Sequence, residues 1–92
     1  MIASAGNTGA TDVDAPSAMG GALLVTAVDG SDVRPPFASC GTEVDLSAPG
    51  VDLLGAYPGN PDAVRWSRTS FSTALATGGY VLVKALHPTW TP

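Results

Sequence analysis

Ser70-Phe71-Ser72-Thr73-Ala74-Leu75-Ala76-Thr77-Gly78-Gly79-Tyr80-Val81-Leu82-Val83-Lys84-Ala85-Leu86 runs without proline until His87-Pro88 stops it. Proline just past the end is a helix stop signal, and this spacing predicts a helix over 70–86. Phe71, Leu75, Tyr80, Val81, Leu82, Val83 and Leu86 fall all round it and leave no wide polar stripe. A helix apolar on every side belongs in the interior of a larger body. Ala74 and Gly78, four apart, make one face small enough for another backbone to come close. Gly78-Gly79 costs about 1 kcal/mol of helix propensity per glycine, so tertiary packing has to hold the segment.

Upstream of this helix the chain reads as short apolar runs cut by glycine and proline. Ile2 to Ala5 is small and apolar and ends at the turn signal Gly6-Asn7. Ala22 to Val28 is a continuous apolar run stopped by Asp29-Gly30, the pattern of a strand buried on both faces in a parallel sheet. Val44 to Ala48 is short and strand-like and is closed by Pro49-Gly50. Val51 to Tyr57 is a further strand, closed by Pro58-Gly59-Asn60-Pro61, and Ala63 to Arg68 can return beside it as a hairpin. Residues 8–21 and 31–41 read as loops.

The chain has 92 residues, 45% of them hydrophobic and only 13% charged. A chain this short buries only about 60% of its unfolded surface, so such a composition suits part of a larger core, or a subunit that needs a partner. The formal net charge is −4, and the basic side chains are Arg34, Arg65, Arg68 and Lys84, scattered along the sequence. Phosphate-backbone binding needs a basic patch, so no nucleic-acid partner is expected. The apolar stretch from Ala74 to Leu86 is too short to span a bilayer and carries Thr77 and Lys84, so no membrane partner is expected either. Met1-Ile2 leads straight into Ala3 with no basic stretch or long apolar run, so the sequence reads as lacking a secretory signal. With one cysteine, Cys40, and one histidine, His87, neither an internal disulfide nor a zinc site of the usual kind is expected.

Four blocks, in order, resemble the pattern of the subtilisin-like serine proteases (peptidase family S8). Ala3-Ser4-Ala5-Gly6-Asn7 is similar to the family's A-A-G-N strand end, and Leu24-Val25-Thr26-Ala27-Val28-Asp29 to the strand that follows. Phe37-Ala38-Ser39-Cys40-Gly41, then Val44-Asp45-Leu46-Ser47-Ala48-Pro49-Gly50, resembles F-S-x-x-G…D-x-x-A-P-G. Arg68-Thr69-Ser70-Phe71-Ser72-Thr73-Ala74-Leu75-Ala76-Thr77-Gly78 resembles the nucleophile motif G-T-S-x-A-x-P-x-x-A-G. The departures are Arg68 for the motif's first glycine, Phe71 where a methionine is frequent, and Ala74 for its proline.

The resemblance implies an α/β fold, part of a doubly wound parallel sheet of subtilisin-like type. Residues 1–92 would form the C-terminal portion of the peptidase domain, with the nucleophile helix. It assigns Ser70 as nucleophile, Asn7 as oxyanion donor, and Ala3, Ser4, Ala5 and Gly6 as part of the substrate pocket. A helix N-terminus suits a nucleophile on which negative charge develops, because its free N–H groups and dipole favour that charge. The family's triad runs Asp, His, Ser along the chain, and nothing here resembles the D-[ST]-G or H-G-T blocks. His87 would lie roughly 25 Å from Ser70 at the far end of the helix, where it reads as a C-terminal cap favoured by the dipole. Met1 stands where the family has an ordinary strand residue, which implies a chain beginning inside the domain.

The resemblance thus implies a serine endopeptidase acting on peptide or protein substrates, with the isolated piece inactive and its partner the N-terminal half bearing the Asp and His. The alternatives are a non-catalytic remnant or complementing fragment that binds that half, and a truncated reading frame with no role. No cofactor is required. Some family members bind calcium, but Asp12 and Asp14 read as solvated turn residues, and no metal site is assigned. Ser47, Ser67 and Ser72 read as structural, and Trp66 and Trp90 as packing residues.

Overall fold

The computed structural model describes residues 1–13 and 20–91. Among them are strands β1 (Ile2–Ser4), β2 (Leu23–Val28), β3 (Leu46–Pro49), β4 (Leu53–Tyr57) and β5 (Asn60–Trp66), and one helix, α1 (Thr69–Leu86). The first three form a parallel sheet in the order β1-β2-β3, with Ile2 opposite Leu23 and Val25 opposite Leu46. Parallel neighbours need long crossovers, which the glycine- and proline-rich segments 5–22 and 29–45 provide. The strand expected from the continuous apolar run is the central one, and Leu24, Val25, Thr26 and Ala27 are all buried. Its one polar side chain is satisfied: Thr26 Oγ1 donates to the Ser39 carbonyl at 2.6 Å.

Two boundaries differ from the sequence reading. Pro49, taken as a stop, is the last residue of β3 and pairs with Val28. It lies on an edge strand, where the missing N–H costs no ladder bond. The turn between β4 and β5 is also tighter than Pro58 to Pro61, since Tyr57 already pairs with Asn60 and Pro61 lies within β5. This antiparallel hairpin meets the helix start through an aromatic series. Tyr57 and Trp66 have ring centroids 5.8 Å apart, and Trp66 stacks on Phe71 at 5.4 Å.

Helix α1 lies across all three parallel strands. Its approach is set by Gly50, whose N–H donates to Val28 O and whose carbonyl accepts from Arg68 N–H, both at 3.0 Å. A Cβ at Gly50 would stand 2.2 Å from Ser72 Oγ and 2.6 Å from Ala27 Cβ. Ser72 is itself buried, and its hydroxyl has no hydrogen-bond partner among the described residues. Two opposite outcomes are expected in urea melts. Gly50→Ala loses about 1–3 kcal/mol or more, because the β3–α1 contact has to spread. Ser72→Ala gains about 1 kcal/mol, because it removes a desolvated, unpaired hydroxyl.

The helix fills little of its own surroundings. Thr69 and Ser72 are its buried residues, whereas Leu82 is 69% and Leu86 77% exposed, and Leu75, Val81 and Val83 are also open. Among the described residues nothing outside the helix's own backbone lies within 4 Å of where a Cβ at Gly78 or Gly79 would stand, so no other described backbone uses the small face. The buried hydrophobic residues among those described are correspondingly few, Ala5, Leu24, Val25, Ala27 and Ala38, three of them alanines. The burial expected of this helix is therefore not supplied by the described residues. An apolar face of this kind marks an interaction surface or an aggregation liability. The isolated chain is expected to sediment as an assembly, and Leu82→Glu with Leu86→Glu to shift it towards monomer. A wild-type monomer with a sharp, cooperative thermal transition would contradict this. No helix among the described residues is long and apolar enough to cross a membrane.

Candidate active site

Thr69, the first residue of α1, ties the helix start to the end of β1. Its backbone N–H and its Oγ1 both donate to Asn7 Oδ1, at 2.8 and 2.9 Å. Oγ1 also lies 3.3 Å from the Gly6 carbonyl, which accepts from Ser39 N–H at 3.0 Å. Thr69 is fully buried. A backbone N–H can only donate, so the oxygen of the Asn7 amide must face it. The Nδ2 donors are thereby turned away from Thr69. The sequence reading passed over Thr69 as a motif letter. The available signal was a hydroxyl residue at a helix start, the place where orphan N–H groups need side-chain oxygens. Here the oxygen comes from a residue 62 positions earlier.

Ser70 follows Thr69 as the second residue of α1 and is exposed. At that position its N–H has no carbonyl inside the helix to bond. Asn7, also exposed, stands one residue away through the Thr69 bonds. The structure thus brings Asn7 and Ser70 to one place. Ala3 and Ser4 lie on β1 and are half-buried, and Ala5 and Gly6 continue from it and are buried. The loop after Asn7 is held to the 35–39 turn: Gly9 N–H donates to Phe37 O at 2.8 Å, and Thr8 N–H and Oγ1 contact Ser39 Oγ. Gly9 has φ +72°, and a Cβ there would stand 2.4 Å from Pro36 O, so this close approach requires glycine.

Arg68, the departure from the nucleophile motif, is the helix N-cap with φ −175° and ψ 162°. That is extended backbone open to any residue, so the change from glycine carries no backbone strain. Its side chain makes no capping bond. Nη1 donates to Ser67 O at 2.9 Å, and Cζ lies 5.5 Å from the centroid of Phe37. Ser67 Oγ in turn accepts from Asp52 N–H at 2.9 Å.

The other singled-out residues lie apart. His87 is the C-cap of α1: its N–H donates to Val83 O, and its ring stacks on Trp90 at 3.7 Å. With α1 between them, His87 is about 25 Å from Ser70. Cys40 is half-buried and free. Asp12 is exposed, and Asp14 lies outside the described residues. Among the described residues no three His, Cys, Asp or Glu side chains converge as they would to hold a metal ion. An open cleft lies between Met1, Ile2, Leu23, Asp45, Thr77 and Tyr80, and a second lies on the hairpin; neither includes Ser70 or Asn7.

A parallel α/β sheet that delivers a serine to a helix N-terminus, beside a side-chain amide whose Nδ2 is turned away from Thr69, is an arrangement suited to acyl transfer. Residues 1–92 match the Subtilase family of peptidases, and the chain belongs to that family. The thermostable alkaline protease of Halalkalibacterium halodurans is 38% identical over 91 residues, covering 99% of this chain and 25% of that protein. Subtilisin BL of Lederbergia lenta is 34% identical over 91 residues, again 99% of this chain and 34% of its own length. Among solved structures, the prenylagaramide maturation protease PagA superposes with a TM-score of 0.83 at 33% identity, covering 92% of this chain and 32% of that one. The chain thus spans a quarter to a third of the length of these relatives.

Proposed function

We propose that this chain carries the nucleophile and oxyanion portion of a serine endopeptidase site acting on peptide or protein substrates. Ser70 Oγ attacks the scissile carbonyl carbon. As the C–O bond forms, the carbonyl electron pair moves onto oxygen, and the Ser70 N–H and an Asn7 Nδ2–H donate to it. A histidine oriented by an aspartate, both from outside residues 1–92, takes the Ser70 proton. It returns that proton to the departing amine as the C–N bond breaks. Water then releases the acyl group by the same steps in reverse. Ala3 to Gly6 form one wall of the pocket for the substrate side chain.

The observation that carries this reading is the pair of Thr69 bonds to Asn7 Oδ1, because they fix which end of the amide is left for a ligand beside Ser70. The test is to supply the Asp- and His-bearing segment, fused or in trans, and to assay casein hydrolysis and labelling by a fluorophosphonate. Both are expected to appear with the wild-type chain and to vanish with Ser70→Ala. Labelling that persists in Ser70→Ala would remove Ser70 from the nucleophile's role.

A second reading is favoured by one observation. The open apolar residues of α1, Leu75, Val81, Leu82, Val83 and Leu86, suit a complementing piece whose role is to bind the segment bearing Asp and His. The same reconstitution separates the two: association without labelling supports binding alone.

A further inference from the structure

The fold gathers cations that are scattered in sequence. Arg34 Nη1 donates to the Ala38 carbonyl, and the Arg68 guanidinium lies over the ring of the adjacent Phe37. Both arginines are exposed. The salt bridge found among the described residues joins Arg65 to Asp52 and involves neither of them. The turn they share is bound to the segment around Asn7, because Gly9 N–H donates to Phe37 O and Gly6 O accepts from Ser39 N–H and lies 3.3 Å from Thr69 Oγ1. Arg68 is two residues before Ser70 and is braced by Phe37 and by Ser67 O. A guanidinium stacked on a ring keeps its planar fork pre-organised, so it gives up little freedom on meeting a carboxylate. In a chain of net charge −4, Arg34 and Arg68 both contact the Phe37-Ala38 segment, and Arg68 puts a positive charge two residues before the exposed Ser70.

We infer that Arg68, seconded by Arg34, is a specificity-determining residue that selects peptides with an aspartate or glutamate beside the bond presented to Ser70. The inference rests on the reading of Asn7 and Ser70 as a peptide-cleaving site, and it assigns the substrate class for which the motif's glycine gives no handle. An exposed guanidinium–carboxylate contact is worth a few-fold in affinity at low salt and less once the Debye length falls below about 10 Å.

The test uses the full 92-residue chain and two dye-labelled peptides, acetyl-Ala-Ala-Glu-Ala-Ala-amide and its glutamine isostere, with binding read by fluorescence anisotropy. The glutamate peptide is expected to bind about fivefold tighter at 20 mM salt. That preference should shrink at 300 mM and disappear in Arg68→Gln. Arg68→Lys keeps the charge without the planar fork and should retain part of it. Matched far-UV circular dichroism keeps a folding defect from passing as lost selectivity. Equal affinity for the two peptides, no binding of either, or a preference untouched by Arg68→Gln and Arg68→Lys overturns the inference. Fluorophosphonate labelling of the reconstituted domain tests the other reading separately. Labelling without glutamate preference removes the inference alone, and glutamate preference without labelling removes the catalytic reading alone.

Discussion

Asn7→Ala in the reconstituted domain is expected to lower kcat by about 10²–10³ with little change in KM, a magnitude carried over from a side-chain oxyanion donor in a subtilisin. The amide meets the substrate oxygen only as charge develops, so binding of the ground state barely registers its loss. In this structure the substitution has a second consequence. Asn7 Oδ1 accepts from both Thr69 N–H and Thr69 Oγ1, and alanine leaves a buried donor pair at the helix start without its acceptor. Part of any loss could therefore come from a displaced Ser70. Asn7→Asp separates the two roles. A carboxylate keeps an oxygen for Thr69 but replaces the free NH₂ with a second oxygen, which repels the developing oxyanion. Asn7→Asp is expected to hold the thermal transition near wild type and still to lose at least as much kcat as alanine. Asn7→Asp retaining wild-type kcat would show that Asn7 acts only as a support for Thr69. His87→Ala is the control: its ring touches Trp90 at the other end of α1, and kcat should not change.

What the sequence made legible was local. The unbroken apolar run of β2 told of a strand buried on both faces, and Pro88 told where α1 stops; both signals sit within the element they describe. The order of the four motif blocks identified the family without any geometry. The contacts that build the site were not legible, because each joins residues far apart in the chain. Thr69 reaches Asn7 across 62 positions, and Arg68 meets Phe37 through a fold that no window of sequence spans. Arg68 shows the difference most directly. As a letter it is only a long cation where the motif has a glycine. In the fold its backbone is extended and its guanidinium is laid against Phe37 and Ser67 O. Gly50 likewise reads as the end of a strand, and only the packing shows that its missing side chain lets α1 approach β2 and β3. Ser72, an ordinary serine in sequence, becomes a desolvated hydroxyl for the same reason.

The isolated chain is expected to show no casein hydrolysis and no stoichiometric fluorophosphonate labelling. Ser70 is open to solvent, so access is not the obstacle; activation is. An unassisted serine hydroxyl is a weak nucleophile and needs a base within about 3 Å to take its proton as the bond forms. The chain's one histidine, His87, is stacked on Trp90 beyond the last turn of α1, whose 18 residues correspond to about 27 Å. No bending of a continuous helix closes that gap. Self-association of the exposed helix face leaves the shortage unchanged if copies pair α1 to α1 in parallel. An antiparallel pair, however, would bring a partner copy's His87 towards Ser70. The labelling experiment is therefore run across a range of concentrations. Labelling absent at every concentration is the expected result. Labelling that rises with concentration and disappears in both Ser70→Ala and His87→Ala would mean that two copies build a site that one cannot. Labelling of the monomer, lost in Ser70→Ala and kept in His87→Ala, would overturn the argument, because Ser70 would then be activated by a group other than a histidine.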